Sequence, residues 1–132
     1  MEGKHIHILI ADDDDEDLEL IEEAILEIEP GVKLHKVKNG KAAIEYLNGK
    51  AAGELPCLII LDYSMPEMNG PELLSILKKC PGYRAIPTVI FSTSGAAVHI
   101  QQCKERGATE YFVKPNTKTA LSQVAEKMLA LC

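Results

Sequence analysis

The chain has no basic surplus: 14 lysines and arginines face 20 aspartates and glutamates, a formal net charge of −6. Direct binding to a nucleic-acid backbone is therefore not the expected activity. No apolar run approaches the roughly 18 residues of a membrane span. Met1-Glu2-Gly3-Lys4-His5 leads straight into a short apolar stretch, without the layout of a signal peptide. A soluble, cytoplasmic protein with no membrane contact is expected. The four cysteines, Cys57, Cys80, Cys103 and Cys132, lie far apart and form no C-x-x-C pair. A zinc site or thioredoxin-type motif is not suggested, and reduced thiols are the expected state. His5, His7, His35 and His99 show no metal-ligand spacing, and His5 and His7 are expected to flank or sit within the first strand. There is no internal repeat, low-complexity tract or linker. With 132 residues, 46% of them hydrophobic, one compact domain over 1–132 is expected.

What is there is a strict alternation of two patterns. Residues 6–11 form a short, nearly continuous apolar run, as expected of a buried parallel strand. After an acid cluster, Leu18, Ile21, Ile25 and Ile28 recur at helical spacing until Pro30-Gly31 stops the helix. Strand-like Val32 to Val37 then leads through Asn39-Gly40 to a helix carrying Ala43, Ile44 and Leu47, which ends near Asn48-Gly49. A looser stretch over 50–55 precedes Pro56. Cys57-Leu58-Ile59-Ile60-Leu61 is the most apolar run of the chain, which argues for a central strand covered on both faces. Asn69-Gly70-Pro71 opens a third helix. Pro87 to Phe91 is a fourth strand, followed by a helix with Val98, Ile100 and Cys103 up to the Gly107 stop. A fifth strand covers Thr109 to Val113, and Leu121, Val124, Met128 and Leu131 mark an amphipathic last helix. Five strand–helix units imply an α/β protein whose parallel sheet is sandwiched by helices, with any site at the carboxyl ends of the strands.

Asp12 and Asp13 stand just after the first strand and Asp62 just after the third, so their carboxylates are expected to converge at the switch point of the sheet. Convergent carboxylates repel, and a hard divalent cation that accepts oxygen ligands, magnesium above all, resolves the conflict. Lys114 ends the fifth strand and Ser92 the fourth, adding a positive charge and a hydroxyl donor at the same edge. Together these groups suit the handling of a phosphoryl group. Asp14, Asp15, Glu16 and Asp17 read instead as acids favoured by the dipole at the start of the first helix.

The segments ILIADDDD (8–15), LIILDYSMPEMNG (58–70), IPTVIFSTSG (86–95) and YFVKP (111–115) together resemble the receiver domain of bacterial response regulators in two-component signalling, over essentially the whole length. The helix-one opening and the Tyr63-Ser64 pair are similar to single-domain regulators paired with phytochrome-like or other sensor kinases. The resemblance implies a flavodoxin-like (βα)5 fold, a five-stranded parallel sheet of order 2-1-3-4-5 with helices on both faces, forming one receiver domain without an output domain. It implies that Asp62 is the phosphoacceptor. Asp13 is then a direct magnesium ligand, Asp12 a ligand acting mainly through water, and the Ser64 backbone carbonyl a third protein ligand beside Asp62. Lys114 contacts the phosphoryl oxygens, Ser92 is the switch hydroxyl, Tyr111 the switch aromatic, and the Lys114–Pro115 peptide is expected to be cis. Ser64 and Ser94 are expected to tune the lifetime of the phosphoryl group. The acid run leaves a second register, Asp13 and Asp14, open for the ligands, and Thr93 is an alternative to Ser92.

The partners implied are a sensor histidine kinase or histidine phosphotransfer protein and a downstream protein that the sequence does not name; homodimerisation stays open. The protein is expected to be a signalling phosphoacceptor that catalyses only its own phosphotransfer and dephosphorylation. A haloacid-dehalogenase-like phosphatase is the enzyme rival, but it wants a second acid two residues after the nucleophile, where this chain has Ser64. An EF-hand fails because its sixth and twelfth places, counted from Asp12, hold Asp17 and Glu23. The intact acid set argues against a phosphorylation-independent adaptor.

Overall fold

The computed structural model describes residues 6–132; His5 lies outside them. Five strands alternate with five helices in the order β1 (His7–Ala11), α1 (Asp15–Ile28), β2 (Lys33–Val37), α2 (Gly40–Asn48), β3 (Leu58–Leu61), α3 (Gly70–Lys79), β4 (Thr88–Ser92), α4 (Ala97–Glu105), β5 (Glu110–Val113) and α5 (Lys118–Leu129). The expected units are all present, with ends moved by one to three residues, and a 3-10 turn at Ala52–Glu54 fills the looser stretch before β3. All pairings are parallel, in the order β2-β1-β3-β4-β5. This is the flavodoxin-like arrangement.

The sheet is apolar on both faces because its inner strands alternate between two cores. Ile8 and Ile10 of β1, Leu58 and Ile60 of β3, and Val89 and Phe91 of β4 pack with Leu18, Ile21 and Ile25 of α1 and with Ala125 and Met128 of α5. Their neighbours Leu9, Ala11, Ile59, Leu61 and Ile90 face Ala43 and Leu47, Leu73, Leu74 and Leu77, and Cys103. A period of two with both sets buried is what a central parallel strand requires.

Local signals set the helix ends. Asp14 caps α1 by accepting from the Glu16 and Asp17 amides. Asn69 and Glu72 form a reciprocal capping box that starts α3, with Pro71 in its first turn. α4 is held more loosely: Ala96 offers no side-chain cap, and Cys103 is its one buried residue.

Two expectations are corrected. Cys57 and Cys132 form a disulfide that joins the start of β3 to the residues after α5 across a separation of 75 residues, leaving Cys80 and Cys103 as free thiols. Spacing along the chain cannot reveal such a pair, because only the fold brings the end of α5 beneath the entry to β3. The Lys114–Pro115 peptide is trans, since no cis bond occurs among the described residues; the hydrogen bond from the Lys114 amide to the Ser92 carbonyl, 2.7 Å, carries the β4–β5 pairing up to this point without it.

Candidate functional site

Register explains why the acids meet. Ala11 lies opposite Leu61 in the β1–β3 pair, so Asp12 and Asp62 leave neighbouring strands at the same level, and the Asp62 amide donates to the Ala11 carbonyl at 2.9 Å. Ser92 lies opposite Val113, which brings Lys114 to the same edge. One carboxylate oxygen each from Asp12, Asp13 and Asp62 lies within 4.8 Å of the others.

Burial sorts these groups. Asp12 and Asp62 are 3% and 9% exposed, whereas Asp13 is exposed. Asp12 accepts from the Asp14 amide at 2.9 Å through one oxygen and from the Lys114 ammonium at 2.8 Å through the other. Lys114 also donates to Asp17 at 2.7 Å and stands 3.6 Å from an Asp62 oxygen. The Asp14 side chain is engaged in capping α1, and the acids whose carboxylates come together are Asp12, Asp13 and Asp62.

The electrostatics follow from this packing. Burial pushes the Asp62 carboxyl up from 3.8 to about 6, with the Asp12 charge adding to the rise and Lys114 opposing it. Asp12 is also raised, by burial, against the pull of its bond from Lys114. Burial alone would depress Lys114, but its bonds to Asp12 and Asp17 and the charges of Asp12 and Asp62 hold it above its ordinary value. Two buried carboxylates that resist ionisation, Asp12 and Asp62, with the Asp13 carboxylate within 4.8 Å of both, fit a hard divalent cation.

Asp17 is the residue that reading the sequence missed. It counts as a helix-opening acid by position, yet its side chain reaches back to Lys114. It is the third residue of α1, in the first turn, and no local pattern sets it apart from the other acids there.

The remaining expected residues lie around the rim. Ser92 is 3% exposed, while Thr93 points to solvent, so Ser92 is the hydroxyl at the sheet edge. Its Oγ accepts from the Ser94 amide at 3.1 Å. Ser94 is half-buried, with its own Oγ 2.6 Å from His99 Nδ1. The Tyr111 hydroxyl donates to the Ser94 carbonyl at 2.7 Å, so Tyr111 is tied to the β4–α4 loop and not to the acids. Ser64 is exposed beside Asp62.

Gly70 shapes the loop after Asp62. Its amide donates to the Tyr63 carbonyl at 2.8 Å, and a Cβ at this position would come within 2.5 Å of the Asp62 carbonyl oxygen. Only glycine lets α3 start so close to the acid. Within the same loop Glu67 has a φ of 69°, and the Met68 amide reaches the Pro66 carbonyl at 2.7 Å, a tight three-residue turn.

Comparison with known proteins agrees with this arrangement. A family profile described as the response regulator receiver domain matches residues 8–126. Two-component response regulator ARR7 of Arabidopsis thaliana is 37% identical over 117 residues, covering 83% of this chain and 56% of that protein. The chain therefore spans little more than half the length of that relative. The phosphorylated cyanobacterial phytochrome response regulator RcpA superposes with a TM-score of 0.85 at 28% identity, covering 98% of this chain and 97% of that one. The Mn(2+)-bound form of response regulator Rcp1 superposes with a TM-score of 0.81 at 26% identity, covering 95% and 92%.

Proposed function

The chain belongs to the response regulator receiver domain family, and from that premise we propose that it accepts a phosphoryl group on Asp62 from a histidine kinase or histidine phosphotransfer protein. The observation that carries this reading is the position of Asp62: nearly buried at the end of the central strand, in reach of Asp12 and Asp13, and 3.6 Å from the Lys114 ammonium.

Asp12, Asp13 and Asp62, with the Ser64 backbone carbonyl, would hold a magnesium ion, whose positive charge when bound offsets charge on the phosphoryl oxygens. A solved relative with Mn(2+) bound and another in a phosphorylated state support this reading. The rest is work for the chain itself. An ionised Asp62 oxygen attacks the phosphorus of a phosphohistidine; a P–O bond forms, the P–N bond breaks, and its electron pair returns to the imidazole. Asp12 and Asp17 hold the Lys114 ammonium beside the arriving oxygens, where it stabilises their charge. A groove of about 230 Å³ between α1 and the start of α5, lined in part by Leu20, Pro115 and Leu121, adjoins this edge and suits an apolar side of the donor protein.

Once Asp62 is modified, the added charge draws the Ser92 hydroxyl toward it as a donor, and Tyr111 shifts with the loop. The face formed by α4, β5 and α5 then differs between the two states and is read by a downstream protein. Ser64 and Ser94 tune hydrolysis of the acyl phosphate by guiding water. A test uses a histidine kinase autophosphorylated with labelled nucleotide: the wild type takes up label and Asp62→Asn does not. Uptake by Asp62→Asn at the wild-type rate contradicts the assignment.

A further inference from the structure

Ser94 is the hub of a network that reaches from the acid pocket to α4. Its amide donates to Ser92 Oγ, its carbonyl accepts from Tyr111, and its own Oγ bonds to His99 Nδ1 at 2.6 Å while also accepting from the Ala96 amide at 3.2 Å. Each polar group of this serine is engaged. His99 in turn stacks on Tyr63, the residue next to Asp62, with ring centroids 4.5 Å apart and planes 28° apart. The Tyr63 hydroxyl donates to Gln102 Oε1, one turn further along α4, at 2.5 Å. The first turn of this helix has no side-chain cap, and Val98 within it is 69% exposed.

We propose that His99 is a positioning residue: through its bond to Ser94 it restrains the Ser92 hydroxyl in its resting place and so opposes the switch. The inference rests on the reading of Ser92 as the switch hydroxyl. For Ser92 to move toward a phosphoryl group on Asp62, its Oγ must either give up the Ser94 amide or pull Ser94 along. Pulling Ser94 breaks the bond to His99, which the stack on Tyr63 keeps in place. His99 therefore stabilises the resting arrangement over the moved one, and anything that binds the moved arrangement works against it.

Three variants separate the bond from the stack. His99→Phe keeps a ring over Tyr63 but has no partner for Ser94. His99→Asn keeps a polar atom near the place of Nδ1 but has no ring. Ser94→Ala removes the group through which His99 acts. The readout is calorimetric titration of the folded chain with beryllofluoride, a phosphoryl mimic, in saturating magnesium. One side-chain hydrogen bond lost from the resting state predicts that His99→Phe binds about threefold to tenfold more tightly than wild type. His99→Asn stays within about twofold of wild type, and adding His99→Phe to Ser94→Ala changes nothing further. Unaltered affinity in His99→Phe overturns the inference, as does an equal gain in the Ser94→Ala background or a gain in His99→Asn as large as that in His99→Phe. In each of those cases the phosphoacceptor reading stands. Failure of the wild type to bind, or equal binding by Asp62→Asn, overturns that reading and this inference with it.

Discussion

Asp17 of α1 and Lys114 at the end of β5 are joined by a 2.7 Å ion pair across 97 residues of sequence. The pair gives the lysine a second anchor besides Asp12, so its ammonium is held between two acids and aimed past them at Asp62.

Asp17→Asn is expected to lower stability by about 1 kcal/mol, because its side chain is partly exposed and the charge-assisted bond is weakened, not abolished. Lys114→Ala costs about 2–4 kcal/mol, since it leaves nearly buried Asp12 and Asp62 without a counter-charge. Urea unfolding of both variants measures the difference, and an Asp17→Asn loss as large as that of Lys114→Ala would mean that the two acids are not ranked by burial.

The raised Asp62 sets a pH dependence of unusual sign. The folded chain holds this proton more tightly than the unfolded one, at about 6 against 3.8. The group therefore lowers stability as pH rises through that window and costs a constant amount above it. A rise of about two units corresponds to at most about 3 kcal/mol. Asp62→Asn is expected to stabilise the fold by about 1–3 kcal/mol at about pH 8 and to have little effect near about pH 3.5. Denaturation at both values checks this, and an equal effect at the two would contradict it.

Gly70→Ala places a methyl group against the Asp62 carbonyl. Backbone must shift to admit it, so the variant is expected to lose about 1–3 kcal/mol and to displace the acid loop. Slower phosphoryl uptake should accompany the loss of stability. A variant that unfolds earlier but is phosphorylated at the wild-type rate would show that the loop absorbs the methyl group without moving Asp62.

Reduction of the Cys57–Cys132 disulfide frees the far end of α5, at the opposite edge of the sheet from the acids. Cys57→Ser is expected to cost about 2–4 kcal/mol, and a dithiol reductant should lower the wild type to the same level while leaving the variant unchanged. If the reductant destabilised the variant equally, the bridge would not be the cause.

The architecture was legible because each level of the sequence agrees with the next. The continuous apolar run at Leu58–Leu61 marks a strand buried on both faces, and Asn69-Gly70-Pro71 marks a helix start that the backbone then uses. The acids, Ser92 and Lys114 were legible because strand ends in a parallel sheet converge by topology alone. What stayed hidden depends on contacts between distant segments. Asp17 looks like any acid favoured by a helix dipole, and Cys132 sits 75 residues from its partner. The stack of His99 on Tyr63 requires α4 to be placed over the loop after β3. No local pattern encodes such placements, because they follow from how whole layers pack.

The most direct measurement of the central claim identifies which side chain carries the phosphoryl group. Treatment with a small acyl phosphate donor in magnesium, followed by borohydride reduction, converts the modified aspartate to homoserine, which peptide sequencing locates. Homoserine at position 62 alone, absent when the divalent cation is chelated, is the predicted result. Homoserine at Asp12 or Asp13, or an unmodified chain in the presence of magnesium, would contradict it.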